Sequence, residues 1–358
     1  MTIENEAWTN VMLVDQLSYK ESLPKGLFYM ENNGFLVMGE SEEGEEVSLV
    51  TCIFRVGGGK NGPWQVEDVF KGQTTFLIAP KGHAGGMHNN DFIGNRTWAT
   101  DAWTGGKVVK TEKEVIWSLG NYQFVCHPPL WEIKGEHMGI EFDLHLSGLG
   151  DVACHKGKYA ELATNGLAGY EAPLCAEGTI KAQGKTYTLR KEKSFGCQEK
   201  FIQPAWDLAK VLRGETYYWV WWASETVRIF IYSYPSMGKT FSHVTVDGKE
   251  VEFAENGKSN IKMDAKQWWI DPQTRMQVPV KWHFNMESGN GVIDLDIEAA
   301  SRTFYSYLSE SGATIHYGLH SHSKGQFSFP DGRKIPLKGM RTYVEHGWCA
   351  IPLPAATC

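Results

Sequence analysis

The chain has 358 residues, long enough to bury two cores, and a net charge of −7 with no block of Lys or Arg. That balance argues against nucleic acid or an anionic membrane surface as a main partner. An acidic N-terminus and a most apolar run (217–234) broken by Ser224, Glu225 and Arg228 give neither a signal peptide nor a membrane-spanning helix.

Strand signals dominate from about residue 26 onward. Residues 47–56, 76–79, 107–111, 115–117, 122–126 and 140–146 read as strands separated by Gly, Asn and Pro clusters. Residues 203–212 (QPAWDLAKVL) carry apolar positions three to four apart behind Pro204, which predicts a short helical linker. Strands resume at 217–222 and 227–232. A hairpin turns at Asp247-Gly248, and further strands follow at 278–286 and 291–299. No βαβ alternation, GxGxxG or GxxxxGK occurs, so nucleotide-binding α/β folds are not expected.

Two stretches repeat one another. Residues 178–199 (GTIKAQGKTYTLRKEKSFGCQE) and 325–346 (GQFSFPDGRKIPLKGMRTYVEH) align with Gly184 on Gly332, pairing Lys185 with Arg333, Leu189 with Leu337 and Phe195 with Tyr343. Each reads as strand, glycine turn, strand. The spacing is too wide for a solenoid and predicts two copies of one β-domain, 1–205 and 206–358, each closed late by the same hairpin. The seven cysteines (Cys52, Cys126, Cys154, Cys175, Cys197, Cys349 and Cys358) form no CxxC pair and are odd in number. Reduced thiols in a cytoplasmic protein are the expectation.

Three segments resemble a known superfamily. Residues 31–56 (ENNGFLVMGESEEGEEVSLVTCIFRV) resemble the first strand pair of the lipocalin-like proteins grouped with hydroxyneurosporene synthase (carotenoid 1,2-hydratase), kievitone hydratase and fungal decalin-forming Diels–Alderases. Residues 268–288 (WWIDPQTRMQVPVKWHFNMES) resemble its W-x-s-P-x-[ST]-G block, with Met276 where a glycine is usual. The repeated hairpins resemble its glycine-rich ones, but Cys197-Gln198-Glu199-Lys200 stands where many members carry Asp-His-Glu/Gln-Trp. The resemblance implies an all-β protein of two tandem lipocalin-like barrels holding a hydrophobic small molecule within or between them. It implies acid–base chemistry without a cofactor, and it does not fix the reaction.

Several constellations are candidates for that chemistry. His83, His88 and Asp91 share a glycine-bearing loop, which suits proton relay, substrate contact or a solvent-facing turn better than the loose spacing suits a metal. Tyr170 and Glu171 precede the first repeated hairpin, where an apolar wall raises a carboxyl pKa enough for acid–base work; a barrel-rim Tyr beside a solvated Glu is the plainer account. In the hairpin, alternation puts Cys197 and Glu199 on one face and Gln198 on the other. Glu199 is the better functional candidate and Cys197 fits a buried apolar thiol.

Fourteen Trp, 14 Tyr and 17 Phe either fill cores or line a ligand cavity. Trp221, Trp222, Tyr232, Trp269, Trp282, His283, Cys197 and Gln198 are the candidates for substrate contact, with Trp219 beside Trp221 on one strand face. His316, His320 and His322 share a parity, a zinc pattern if the segment is one strand, although Gly318 favours a turn; no metal is expected. The readings that remain are an acid–base enzyme (hydratase, dehydratase, isomerase or cyclase), a non-catalytic carrier of a lipid or pigment, and a sugar-acting enzyme with two carboxylates across an open cleft. A homodimer is compatible with any of them.

Overall fold

Strict two-residue alternation builds most of the molecule. Leu130–His137 alternates exposed and buried along LWEIKGEH, and Ile140–Gly150 alternates the other way, so each offers one apolar face to a core and one polar face to water. Tyr29–Ser41 and Ala168–Ala182 break this rule: both faces are buried over long runs, because a second layer covers their outer side.

The computed structural model describes residues 7–23, 29–57, 59–61, 64–66, 69–79, 87–89, 105–204, 214–224, 226–234, 239–255, 258–309 and 312–350. In the first sheet the strands are β1 (Tyr29–Ser41), β2 (Glu46–Gly57), β3 (Val69–Ala79), β4 (Lys107–Lys110), β5 (Val115–Leu119), β6 (Tyr122–His127), β7 (Leu130–His137), β8 (Ile140–Gly150), β9 (Ala168–Ala182) and β10 (Lys185–Pro204). In the second they are β11 (Gly214–Ala223), β12 (Val227–Tyr234), β13 (Lys239–Val246), β14 (Lys249–Glu250), β15 (Ala254–Glu255), β16 (Lys258–Ile270), β17 (Gln277–Ser288), β18 (Gly291–Ser309), β19 (Gly312–Ser328) and β20 (Lys334–Ala350).

The two sheets have one topology. Their orders are β3-β2-β1-β10-β9-β8-β7-β6-β5-β4 and β14-β13-β12-β11-β20-β19-β18-β17-β16-β15, so each is an antiparallel meander whose last long strand closes on its first. The fold is all-β, with two lipocalin-like barrels in tandem. Two short parallel additions decorate them: Trp8–Thr9 beside Leu149–Gly150, and His88–Asn89 beside Ser301–Arg302 of the second sheet. Among the described residues no helix is long and apolar enough to cross a membrane.

The repeated hairpins occupy equivalent places, as β9–β10 and β19–β20. Gly178 pairs with Leu189 and Gly325 with Leu337, each beside a register shift. Both glycines have positive φ (+128° and +159°), and a Cβ at either would strike a neighbouring backbone carbonyl, Asp143 in one barrel and Asp294 in the other. Their turns differ. Ala182 and Lys185 flank two residues, whereas Ser328 and Lys334 flank five. The helical linker expected at 203–212 lies outside the described residues except for Gln203 and Pro204, which end β10.

The barrels are filled differently. The interior of the first holds Trp117, Phe124, Trp131 and Leu144 together with a 3₁₀ turn, Leu13–Gln16, that inserts Gln16 into it. The Gln16 side chain donates to the Tyr170 hydroxyl (2.6 Å) and accepts from Gln198 (2.7 Å), and its backbone carbonyl accepts from the Trp117 indole (2.7 Å). The second interior is an apolar pack that includes Trp222, Trp282, Phe284 and Phe327. Between the barrels lies a third cluster, Leu36, Cys175 and Cys197 of the first against Trp219, Trp221 and Phe230 of the second. Each aromatic buried there contributes about 1.5–3 kcal/mol to holding the barrels together.

Candidate active site

The site forms on the outer face of β9 and β10, where the second barrel covers it. Strand pairing sets Glu171 directly opposite Glu199, with Cys197 two residues along on the same face. The chain after β8 returns to β9: Ala153 and Glu171 exchange both backbone hydrogen bonds (2.9 and 3.0 Å), and Lys156 N–H donates to the Gly169 carbonyl. That return carries His155 and Lys156 to the carboxylates, and donor atoms of His155, Glu171 and Glu199 lie within 4.8 Å of one another. From the second barrel Trp219 donates its indole N–H to Glu171 Oε1 (2.9 Å). Asn32 of β1 donates to Glu199 Oε2 (2.6 Å).

Aromatic side chains wall the group. The Lys156 ammonium lies 4.3 Å from the Tyr232 ring centroid and 5.0 Å from that of Phe201. The His155 ring meets Phe230 and Tyr232 edge-on, and Trp221 stacks on Phe230 at 5.2 Å. Several polar atoms here are buried with no hydrogen-bond partner among the described residues: Glu171 Oε2, both ring nitrogens of His155, and the Trp221 indole nitrogen. Buried polar atoms are nearly always paired, so the orphans here leave room for a partner such as a water molecule or a ligand.

Burial and like charge set the protonation states. Glu171 is wholly buried. Burial first, then Glu199 opposite, push its carboxyl well above the ordinary range, which favours its neutral form. Burial raises Glu199 as well, to about 7, against the lowering pull of Lys156. Burial brings Lys156 down to about 8, and burial together with Lys156 drives His155 well below its usual value, leaving a neutral imidazole. A carboxyl whose neutral form is favoured, facing a carboxyl that titrates at about 7 and an ammonium that titrates at about 8, can deliver a proton and take one back. Glu345 approaches from β20, held by His316 (3.2 Å).

The structure brings together Glu171, Glu199, Cys197, Trp221 and Tyr232 from the sequence candidates. It separates others from them. β9 already runs from Ala168, so Tyr170 points into the first barrel, opposite to Glu171, where Gln198 and Gln16 hold it (3.3 and 2.6 Å). Tyr170 and Glu171 therefore do not share a face, contrary to the expected pair. Trp222 lies inside the second barrel with its indole on Ser323 (2.8 Å), and Trp282 is in the same core. Trp269 packs at its edge beside Arg302, and His283 faces outward between Asp294 and Asp296. The His88 backbone pairs with Ser301; His83 and Asp91 lie outside the described residues.

His155, Lys156 and Asn32 escaped sequence reasoning. Lys156 is 15 residues from Glu171, a spacing with no local meaning, and only the return of the chain along β9 joins them.

No protein-family model and no curated protein sequence matches the chain. Solved structures do. CghA, also solved with Sch210972, superposes with a TM-score of 0.59 at 11% identity over 91% of this chain and 90% of its own. Kievitone hydratase from Nectria haematococca gives 0.50 at 12% identity over 96% of both chains. An AttH-type protein from Nitrosomonas europaea gives 0.50 at 11% identity over 90% of this chain and 92% of its own. The chain shares the lipocalin-like fold of these structures.

Proposed function

We propose that the chain is an acid–base enzyme that holds a hydrophobic small molecule, of terpenoid, polyketide or flavonoid type, against the Glu171–Glu199 face between its barrels. The observation that carries this is the cross-strand carboxylate pair, Glu171 buried and Glu199 half-buried, with an imidazole beside it whose ring nitrogens have no hydrogen-bond partner among the described residues. A purely structural pair would be satisfied, as the Lys200–Glu31 pair inside the first barrel is. In the proposed reaction Glu171 protonates one carbon of a double bond. Trp219, Trp221 and Tyr232 supply π-faces for the developing cation, and Glu199 with Lys156 takes up the proton or orients water. Hydration or dehydration is the first choice; isomerisation or cyclisation would use the same shuttle. The likeness in fold to a protein named kievitone hydratase supports that class, and the chemistry needs no cofactor.

Two features weigh against the alternatives. A carrier needs a cavity but has no use for two carboxyls facing each other. Sugar hydrolysis calls for carboxyls flanking an open cleft about 5–10 Å apart, whereas these are adjacent and covered. We further propose 1–205 and 206–358 as the two domains, with cleavage between 204 and 214 in limited proteolysis as the check. Five described cysteines are free, consistent with a cytoplasmic setting; gel filtration distinguishes monomer from homodimer.

The test is mass spectrometry of what co-purifies, followed by turnover of that compound and its relatives. Glu171→Gln should lower turnover by about 10²–10⁴-fold while binding survives. If Glu171→Gln and Glu199→Gln both turn over at the parent rate, the assignment is wrong. Retained binding with no turnover in the parent would make the protein a carrier.

A further inference from the structure

A second convergence of ligating side chains joins the barrels elsewhere. Glu46 opens β2 of the first barrel; His320 and His322 lie two residues apart on the outward face of β19 of the second. Their donor atoms lie within 4.8 Å of one another. His320 Nε2 is 3.2 Å from Glu46 Oε2, and His322 Nε2 touches the same oxygen. His316, the third histidine of that parity, is elsewhere, against Glu345.

We propose that Glu46, His320 and His322 form a binding site for a divalent cation of the zinc class, which ties the two barrels together. Two imidazoles and one carboxylate are a common zinc donor set, with the fourth position left to water or another ligand. Zn–N and Zn–O bonds of about 2.0–2.1 Å place neighbouring tetrahedral donors about 3.3 Å apart. The His320–Glu46 separation already matches that edge, so only His322 has to swing outward.

The atoms behind the donors are arranged as metal sites require. Ser48 Oγ holds His320 Nδ1 at 2.6 Å, which fixes the ring with Nε2 forward. Arg341 Nε lies 3.6 Å from Glu46 Oε1, leaving Oε2 for the centre, and the Arg341 charge is offset by Glu40 at 3.1 Å. His320 is wholly buried. His322 is half-buried and lines an open groove of about 440 Å³ with Lys266, Lys281 and Glu298, which gives a cation its way in and its fourth ligand a place. The His155–Glu171–Glu199 group offers the same donor types, but the Lys156 ammonium beside it opposes a cation.

The experiment uses the full chain, stripped with chelator and titrated with Zn²⁺ and Co²⁺, with Mg²⁺ as control. One equivalent of Co²⁺ should bind with the intense visible bands of a four-coordinate ion. Zn²⁺ should displace it and raise Tm, and Mg²⁺ should do neither. His322→Asn, at a half-exposed position, and Glu46→Gln, which keeps shape, should abolish the Co²⁺ bands while circular dichroism stays native. Ser48→Ala should weaken binding by about 10–100-fold. Absence of stoichiometric binding by the folded parent, or bands unchanged in His322→Asn, would overturn the site and leave a plain ion-paired trio. These readouts are independent of turnover, so they stand apart from the fate of the Glu171–Glu199 proposal.

Discussion

Glu199 and Lys200 are consecutive residues of β10, and alternation sends them into two opposite kinds of ionic centre, one half-buried and one wholly buried. Lys200 enters the first barrel and meets Glu31 at 3.0 Å, both wholly buried. Glu31 is completed by the Ser18 hydroxyl (2.6 Å) and the Tyr19 N–H (2.9 Å), and the ammonium sits 4.8 Å from the Trp117 ring centroid. Glu199 faces the other barrel, opposite a second carboxyl, beside a histidine whose ring nitrogens have no hydrogen-bond partner among the described residues and a lysine resting on aromatic rings. Desolvation acts on both centres; hydrogen-bond satisfaction divides them. The satisfied centre holds structure, and the unsatisfied one is available for chemistry.

The comparison breaks first if the satisfied centre proves dispensable. Lys200→Met strands a buried carboxylate and should cost about 3–5 kcal/mol in urea unfolding, most of which a second change, Glu31→Leu, should restore. Glu171→Gln, by contrast, should leave the unfolding midpoint at or above that of the parent. A large loss in Glu171→Gln would make that carboxyl structural.

A smaller effect concerns pH. Burial raises the folded-state pKa of Glu199 to about 7 from 4.5, so the folded protein keeps a proton that the unfolded chain releases. Its contribution to stability is complete below pH 4.5 and is lost as pH rises through 7. Glu199→Gln should flatten the stability curve across that window and gain on the order of 1–3 kcal/mol over the parent at pH 8. An unchanged slope would mean Glu199 titrates as an ordinary surface acid.

If turnover is found, its pH profile should bend near 7 and near 8, the values of Glu199 and Lys156. Lys156→Met should remove the upper bend and move the lower one to higher pH, because the cation that pulls Glu199 down is gone. The smallest expected change is that of Trp219→Phe. Losing the indole N–H on Glu171 should cost about 1 kcal/mol in thermal unfolding and push that carboxyl higher still, because the bond favours its ionised form.

Much of the fold could be read from period-two patterning and turn glycines, since both are local properties of the chain. The equivalence of the two hairpins was visible because Gly184 and Gly332 anchor it, although the five-residue turn in the second shifts its first strand by one position. Glu199 was legible as sharing the Cys197 face for the same reason. Tyr170 was misjudged because Asn165, Gly166 and Gly169 make 165–171 look like a loop, whereas β9 already runs from Ala168. Tryptophan counting could not separate a barrel core from a ligand wall: Trp221 and Trp222 are neighbours with opposite fates. Gln16 and His155 owe their places to chain segments meeting at long range, and nothing in their local sequence announces it.

The short strand His88–Asn89 comes from the first half of the chain yet runs beside Ser301–Arg302 of the second sheet. The halves are thus stitched through main-chain hydrogen bonds as well as pressed together by side chains. A gene split between residues 204 and 214 would yield fragments of which the second lacks a piece of its own sheet. Such fragments should be recovered together or not at all, and swapping one half for a relative's would require carrying that stitch along.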